Sequence, residues 1–344
     1  MSDNLEPKTY NLKPTESASF IQSPEWLDFL RGEGHQADMV NFYEGEKIMA
    51  TGLFQKINFA GGSYAECALG PTFLQRVSLA QREIDMEQIV AQAKKIGAKA
   101  KVDFVRFIFA EDWSEELAQV LYEHGALQPK VLKHSLVPVD TRWLLTNISE
   151  EKFLETMRPK TRYNLKVSWR HRAVVKEIKD KPSWWYPLLS QTAQRDGIKI
   201  FSEEHYEKLL ALRNIDSKLQ TYLFAVEIDG HIASAALCVS YGQTMTYLHG
   251  ASDYNYRQFM APFALHFGIW QRVKERGFLY YDLWGTNPSP RELAWRYKAK
   301  WEGLSRFKIG FGGLEKNYLG CFDIPINKGK YRFLALVARL WNIF

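Results

Sequence analysis

Apolar and polar residues alternate in two short stretches that occupy corresponding places in the two halves of the chain. In the first half, residues 40–55 read as two strands joined by a turn at Gly45. In the second half, residues 223–239 repeat this pattern around Asp229 and Gly230. Alternation with a period of two on both sides of a short turn is typical of a β-hairpin. The sequence therefore predicts one hairpin in each half.

A helical pattern and a further strand follow each hairpin. Residues 93–109 and 271–284 each combine the end of a helix, a glycine (Gly97 or Gly277) and an apolar strand. Glycine commonly follows the last residue of a helix because it adopts the left-handed conformation without steric cost. The repeated order predicts an α/β (α+β) fold with helices packed on a mixed sheet. We interpret the repetition as a duplicated unit, although two unrelated α/β domains could share these features by chance.

Length and composition are those of two globular units. The chain has 344 residues, of which 46% are hydrophobic and 14% aromatic, so intrinsic disorder is excluded. At about 100–200 residues per domain, we expect two units that meet near residues 138–147. No apolar run approaches the roughly 20 residues that span a bilayer, and the start lacks a leader pattern, which favours a cytoplasmic protein. Cys67, Cys238 and Cys321 form no C-x-x-C pair, so neither a disulfide framework nor a structural zinc site is expected.

Positive charge is concentrated in one stretch. The net charge is +6, and residues 158–172 alone contain six basic residues and no acidic one. We call these residues the basic strip: Arg158, Lys160, Arg162, Lys166, Arg170 and Arg172. Asn147 and Glu150 are expected to cap a first helix, and Pro159 to open a second that carries the strip. With Tyr163 interleaved, the strip is typical of a surface that binds a polyanion such as tRNA, and a solvated helix face is the alternative.

Motifs of several common enzyme classes are absent. The chain has no P-loop, no G-x-S-x-G and no H-E-x-x-H, so nucleotide hydrolysis, serine hydrolysis and zinc proteolysis lack their usual residues. The glycine-rich residues 309–320 are interpreted as a turn between strands. The densest polar and aromatic group is residues 246–313, where strands end near His249 and Asp282 and a loop carries Tyr254. Strand ends that face the start of a helix form ligand crevices in open sheets.

This segment resembles the second half of the FemABX family. The resemblance is carried by L-H-G-A-S-D (248–253), N-Y-x-x-x-x-A-P-F-A-L (255–265), Y-D-L-W-G (281–285) and Y-K-x-x-W-x-G (297–303), with F-K-I-G-F-G-G following. Members of this family are nonribosomal peptidyltransferases that use aminoacyl-tRNA to build peptidoglycan cross-bridges on two tandem GNAT-like domains. The resemblance implies that fold, without a coiled-coil insertion, and an aminoacyltransferase activity that requires no cofactor or metal.

The resemblance also implies a division of labour. A first domain, residues 1–140 plus about 312–344, would bind the acceptor, and a second, residues 141–311, would bind aminoacyl-tRNA and carry out the transfer. The expected acceptor is the peptide amine of a peptidoglycan precursor, either lipid II or UDP-MurNAc-pentapeptide. We expect a monomer that makes peripheral contact with the cytoplasmic membrane.

Candidate site residues follow from the resemblance and from the crevice. Lys298 matches the place of a catalytic lysine, whose ammonium would stabilise the oxyanion or the ribose leaving group. His249 and His205 are expected to titrate near neutrality, so His249 could take the proton of the amine. The substrate-binding residues expected here are Arg31, Trp26, His205, Tyr254, Arg257, Asp282, Trp284 and Tyr297. For Lys298 the alternative is a surface lysine, for Asp282 a strand-end cap, and for Trp284 a core residue. Phe201, His205 and His249 stand where the family carries other substrate-binding residues, which leaves the acceptor open.

Two other functions match parts of the sequence. An acyl-CoA-dependent GNAT N-acetyltransferase needs a glycine-rich pyrophosphate loop, whereas residues 257–262 are bulky. A non-enzymatic RNA-binding protein would use the basic strip without any transfer. The C-terminal residues 328–344 mix basic and apolar side chains, so they form either a helix that docks on the first domain or one that lies on a membrane surface.

Overall fold

The computed structural model describes residues 19–75, 77–131, 137–214, 217–289 and 291–340. The strands in these ranges are β1 (Gln36–Glu44), β2 (Lys47–Phe59), β3 (Gly62–Ala68), β4 (Thr72–Phe73), β5 (Phe104–Asp112), β6 (Asp140–Leu145), β7 (Val174–Ile178), β8 (Gln220–Ile228), β9 (His231–Tyr241), β10 (Thr244–Ser252), β11 (Tyr280–Asp282) and β12 (Leu314–Pro325). The helices are α1 (Pro24–Gly32), α2 (Leu79–Ala100), α3 (Glu115–Glu123), α4 (Glu150–Thr156), α5 (Pro159–Arg170), α6 (Trp185–Asp196), α7 (Glu203–Ala211), α8 (Ala261–Glu275), α9 (Glu302–Ile309) and α10 (Lys328–Leu340).

One mixed sheet runs through the molecule and repeats the same unit twice. In unit 1, the antiparallel strands β1, β2 and β3 are followed by α2, which crosses over so that β5 pairs parallel to β3. In unit 2, β8, β9 and β10 are followed by α8, and β11 pairs parallel to β10. Parallel neighbours require such a crossover, usually through a helix. Both predicted hairpins and the predicted α/β architecture are confirmed.

Each unit is completed by an antiparallel strand from elsewhere in the chain. β12 pairs with β5 of unit 1, and β6 pairs with β11 of unit 2. The first four residues of β12 also pair with β6, which joins the two units into one sheet. The strand order is therefore β1-β2-β3-β5-β12-β6-β11-β10-β9-β8-β7, with β4 beside β2. The boundaries predicted for the two domains stay a prediction.

The three largest apolar clusters among the described residues hold these layers together. One packs α2 and α3 on the unit 1 sheet around Phe107 and Met86, and another packs α4, α5 and α8 on unit 2 around Trp270. The third lies between the units and joins Ile108 of β5 to Leu237 of β9. Burial of large apolar side chains in this third core fixes the two units against each other.

Several element boundaries differ from those predicted. α2 continues through Gly97 to Ala100. A Cβ at position 97 would lie only 2.6 Å from Ile326, which follows β12, so this glycine serves close packing and not termination. Gly277 does follow its helix, with φ of 77°. The N-cap of α4 is Ser149 and not Asn147. Pro159 opens α5 as predicted.

Further segments clarify the sequence reading. The glycine-rich residues 309–320 connect α9, a helix, to β12, so the predicted turn is not between two strands. Between residues 185 and 211 the described helices are α6 and α7, of 12 and 9 residues, and no long insertion lies there. α10 docks on unit 1 through Tyr331 and Leu334, as the docking alternative predicted. No helix in the described part of the chain has the length and apolar character needed to cross a membrane.

Candidate active site

The carboxyl end of β10 leads into a short 3-10 turn, Tyr254–Phe259, directly before α8. The exposed ring of Tyr254 lies 4.2 Å from the Arg257 guanidinium and 5.8 Å from that of Arg195. Arg195, on α6, also donates a hydrogen bond to the Ser252 carbonyl at 3.1 Å. The crevice loop therefore brings Tyr254 and Arg257 together as predicted, and Arg195 is a third member that the sequence did not single out.

Two predicted histidines meet where α1 of unit 1 contacts α7 of unit 2. The His205 ring stacks on Phe201 at 4.1 Å, and Tyr206 lies 5.1 Å from His249. Nδ1 of His205 lies 2.8 Å from Oε2 of Glu33, at the end of α1. Although burial acts to raise the pKa of Glu33, hydrogen bonds from Lys208 and His205 lower it. Glu33 is thus an ionised partner across the interface that sequence reasoning missed.

The expectation that His249 titrates near neutrality is wrong. Burial, and then the neighbouring His205, lower the pKa of His249 to about 4. The ring is therefore neutral at pH 7, where it can accept a hydrogen bond but is a weak base.

Trp26 and Arg31 lie on α1 but have different surroundings. Trp26 packs on Phe29 at 4.8 Å, and Phe29 in turn contacts His205 at 5.3 Å, so Trp26 belongs to the aromatic group around the histidines. The Arg31 guanidinium instead pairs with Asp38 of β1 at 2.7 Å and donates to the Ala37 carbonyl. Arg31 is therefore engaged within unit 1, through an exposed ion pair of the kind that contributes little to stability.

Lys298 and Tyr297 lie in an irregular segment between two 3-10 turns and not in a helix. The side-chain amide of Asn287 accepts from the backbone N–H of Lys298 at 2.9 Å and donates to its carbonyl at 3.0 Å. The Lys298 ammonium lies 4.1 Å from the Trp301 ring centre, and Tyr297 is exposed. Burial, and then the charge of Lys300, lower the pKa of Lys298. This lysine is thus held by its backbone and partly withdrawn from water.

A second lysine, Lys308 on α9, lies beside the same segment and was missed by sequence reasoning. Its side chain is 3% exposed, and its ammonium donates to the Gly285 carbonyl at 2.9 Å. Burial lowers the pKa of Lys308 to about 7, although the charge of Asp282 opposes the shift. No acidic group in the described ranges makes an ion pair with it. The apolar pattern of α9 gave no signal, because Leu304 is exposed while the polar Ser305 and Lys308 face inward.

Asp282 lies at the end of β11 between the two units. It accepts hydrogen bonds from the Thr141 hydroxyl and from the backbone N–H of Trp284, which supports the strand-end cap alternative. Burial raises the pKa of Asp282 to about 6, although these hydrogen bonds act to lower it. Asp282 and Trp284, together with Trp143 and Tyr318, line a cavity of about 20 Å³, which is large enough for one water molecule.

The basic strip lies on and around α5, and most of it faces solvent. Arg162 is the exception: it is half-buried and donates to the carbonyls of Leu154 and Met157 at the end of α4. Arg162 is therefore less accessible to a polyanion than the other five members of the strip. The backbone N–H of Arg158 donates to the Gly310 carbonyl at 2.8 Å, which brings the strip against the end of α9. Exposed Arg306 of α9 extends this positive surface.

Comparison with known proteins supports the resemblance. Residues 211–339 match the FemAB family. The lipid II:glycine glycyltransferase of Staphylococcus epidermidis is 29% identical over 160 residues, which cover 44% of this chain and 37% of that protein. The matched segment thus spans just over a third of the length of this curated relative.

Solved structures with the same fold cover nearly the whole chain. The crystal structure of FemX superposes with a TM-score of 0.77 at 16% identity and covers 94% of this chain and 96% of its own. A tandem GNAT protein from the clavulanic acid biosynthesis pathway gives a TM-score of 0.50 at 11% identity, covering 88% and 94% of the two chains. At such low sequence identity the similarity shows the fold alone, which is the predicted pair of GNAT-like units.

Proposed function

We propose that this chain, whose residues 211–339 match the FemAB family, is a FemABX member and transfers an amino acid from aminoacyl-tRNA to the peptide amine of a peptidoglycan precursor. One observation supports the proposal: the Lys308 ammonium binds the Gly285 carbonyl, Asn287, two residues further on, binds the backbone of Lys298, and the basic strip adjoins the helix that bears Lys308. The polyanionic tRNA donor and the oxyanion of the reaction intermediate would both interact with these cations.

The reaction needs alignment and charge stabilisation more than a nucleophilic residue. The acceptor amine attacks the carbonyl carbon of the aminoacyl ester, a C–N bond forms, the C–O bond to the ribose breaks, and the ribose oxygen takes up a proton. The tetrahedral intermediate carries negative charge on the former carbonyl oxygen. A preorganised cation in a water-poor site stabilises that charge more than water does.

Either lysine could supply this cation. Lys298 is the residue implied by the family resemblance, and its half-buried ammonium rests on Trp301. Lys308 is withdrawn further from water and its pKa of about 7 lets it donate a proton to the leaving ribose oxygen at neutral pH. We propose Lys308 as the proton donor and keep Lys298 as the candidate for stabilising the oxyanion.

The donor tRNA would bind the basic strip and the adjoining α9 surface. Arg158, Lys160, Lys166, Arg170 and Arg172 are exposed, and the Tyr163 ring lies 4.9 Å from the Lys160 ammonium. Such a surface binds phosphates through charge and nucleobases through stacking. Tyr254 and Arg257 would then meet the aminoacyl end at the crevice mouth.

The acceptor would bind on the other side, where the units meet. Trp26, His205 and the neutral His249 belong to one aromatic group there, and we propose them as acceptor residues together with Arg31, Asp282, Trp284 and Tyr297. The neutral ring of His249 could accept a hydrogen bond from the amine of the acceptor. The acceptor is either lipid II or the UDP-linked precursor. We further propose that the protein is a monomer that makes peripheral contact with the membrane.

The acyl-CoA alternative is not favoured by the loop geometry. The turn Tyr254–Phe259 and Met260, which has φ of 55°, place bulky side chains where a pyrophosphate loop needs small residues that expose backbone N–H groups. The RNA-binding alternative predicts binding without transfer.

The decisive experiment offers the protein radiolabelled alanyl-, seryl- or glycyl-tRNA with either lipid II or UDP-MurNAc-pentapeptide. We expect label in one precursor, with tRNA binding that weakens as salt rises. Salt-sensitive binding of intact substrates without transfer would favour the RNA-binding alternative. As a matched control, Lys160→Glu/Lys166→Glu should weaken tRNA binding, whereas Lys95→Glu/Lys99→Glu on α2 should not.

A further inference from the structure

Helix α10 has two apolar faces, and within the described part of the chain one of them is covered and the other is exposed. Tyr331 and Leu334 are buried against Tyr64 and Phe104 of the unit 1 sheet. The Tyr331 hydroxyl also donates to Asp323 at 2.7 Å, which fixes the rotation of the helix about its own axis. The orientation of every other α10 side chain follows from this docking.

The second apolar face points away from the protein. Phe333 is 63% exposed, Leu336 54% and Leu340 71%. At 3.6 residues per turn these three positions lie within an arc of about 60°. They therefore form a continuous stripe, which we call the outer stripe, and large side chains exposed together in this way mark a contact surface.

Basic side chains border the outer stripe on both sides. Lys328, Arg332 and Arg339 lie along one edge, and Lys330 lies along the other, where it pairs with Asp103 at 2.9 Å. α10 contains no acidic residue, so its outer half carries apolar and positive groups only. This charge complements an anionic surface, and an apolar stripe between cations is typical of helices that lie in the lipid headgroup region.

We propose that the outer stripe of α10 binds the surface of an anionic lipid bilayer. Phe333, Leu336 and Leu340 would enter the boundary between headgroups and acyl chains, while Arg332 and Arg339 contact lipid phosphates. Docking on unit 1 holds the helix in the required rotation before it meets the membrane, so the ordering cost of an isolated amphipathic helix is avoided. The helix would thus dock on unit 1 through one face and lie on a membrane surface through the other.

The outer stripe would be the surface through which the protein makes the peripheral membrane contact of the proposed function. The inference rests on the proposed function in that one respect. Vesicle binding is measured without tRNA or precursor, so its outcome is independent of transfer. Conversely, transfer to the water-soluble UDP-linked precursor, if that is an acceptor, should not depend on the outer stripe.

The experiment is sedimentation of the full chain with vesicles of phosphatidylglycerol and phosphatidylcholine, compared with vesicles of phosphatidylcholine alone. We expect binding to the anionic vesicles and a fall of about tenfold or more in the partition coefficient for Phe333→Ser/Leu336→Ser/Leu340→Ser. Arg332→Glu/Arg339→Glu should also weaken binding, and that charge-dependent part should fall as salt is added. Ile84→Ser, an exposed apolar position on α2, and Lys95→Glu/Lys99→Glu are the matched controls and should bind like the parent chain.

Two results would overturn the proposal. One is vesicle binding of the triple serine variant equal to that of the parent chain. The other is a parent chain that ignores anionic vesicles but is a dimer in solution and becomes a monomer in the triple variant, because a second copy would then cover the stripe. Circular dichroism of each variant verifies that loss of binding does not come from unfolding.

Discussion

Each unit buries a charged side chain on its parallel strand, but the surroundings of the two charges differ. In unit 1, Arg106 on the parallel strand β5 is fully buried and forms a two-fold ion pair with Asp323 on the completing strand β12, at 2.6 and 2.9 Å. In unit 2, Asp282 on the parallel strand β11 meets the completing strand β6 through the hydroxyl of Thr141. The nearby cation of unit 2, Lys308, donates to the Gly285 carbonyl and forms no ion pair within the described ranges.

This difference separates structure from chemistry. The Arg106 guanidinium has its charge neutralised and also donates to the Val131 carbonyl, and α10 covers the group through Tyr331. Such a group has little left to offer a substrate. Lys308 and Asp282 have pKa values displaced toward neutrality, which is the usual property of groups that exchange protons. The buried charges of unit 1 thus serve stability, whereas those of unit 2 would serve the reaction under the proposed function.

The largest expected effect comes from breaking the ion pair of unit 1. Arg106→Met leaves the Asp323 carboxylate buried without its cation, and Glu66, whose Oε2 lacks a hydrogen-bond partner within the described ranges, also loses the nearby positive charge. We expect the free energy of unfolding to fall by about 3–5 kcal/mol in urea denaturation. The transfer rate per folded molecule should not change.

The double replacement Arg106→Met/Asp323→Leu is the matched control for this variant. Because a buried ion pair can often be exchanged for apolar groups at little net cost, the double variant should recover most of the lost stability. A single variant that loses less than about 1 kcal/mol would mean that the pair is dispensable, and the contrast between the units would then disappear.

A slightly smaller effect, on rate and not on stability, is expected in unit 2. Lys308→Met should lower kcat for transfer by about 10²–10³-fold, which is typical for the loss of one preorganised donor. Its free energy of unfolding should not decrease, because the change removes a buried ammonium that no carboxylate pairs. Rates measured with Lys298→Ala beside it would show which lysine carries the greater share, and tRNA binding should survive in both.

Two results would contradict the role proposed for Lys308. Full transfer by Lys308→Met with strong loss of transfer by Lys298→Ala would assign the chemistry to Lys298 alone. Loss of tRNA binding in either variant would instead place that lysine in donor binding.

Sequence reasoning reached the repeat and its hairpins because these depend on local periodicity, as at Gly45 and Gly230. It could not reach the pair Arg106 and Asp323, which are 217 residues apart and meet only because β12 returns to unit 1 after unit 2 is complete. Lys308 was missed for a related reason: α9 buries Ser305 and Lys308 against the segment that follows β11, so polar residues lie where an apolar face is usual. His249 was identified as a site residue, but its displaced pKa depends on burial that no motif encodes.

The smallest of the expected effects concerns the pH dependence of stability and tests the same contrast. The pKa of Lys308 is about 7 in the folded protein and close to 10.5 in the unfolded chain. Between these values the unfolded chain binds more protons than the folded protein, so the stability contributed by Lys308 rises with pH. The free energy of unfolding of the parent chain, minus that of Lys308→Met, should therefore increase by about 2 kcal/mol from pH 7 to pH 9.

Subtracting the variant is essential because other groups titrate in the same window. Burial raises the pKa of Cys67 and Cys238, and their ionisation in the unfolded chain acts in the opposite direction, lowering stability as pH rises. These contributions are common to both proteins and cancel in the difference. A flat or falling difference for Lys308 would mean that its ammonium is already stabilised in the folded protein, and unit 2 would then resemble unit 1 in having its buried cation satisfied.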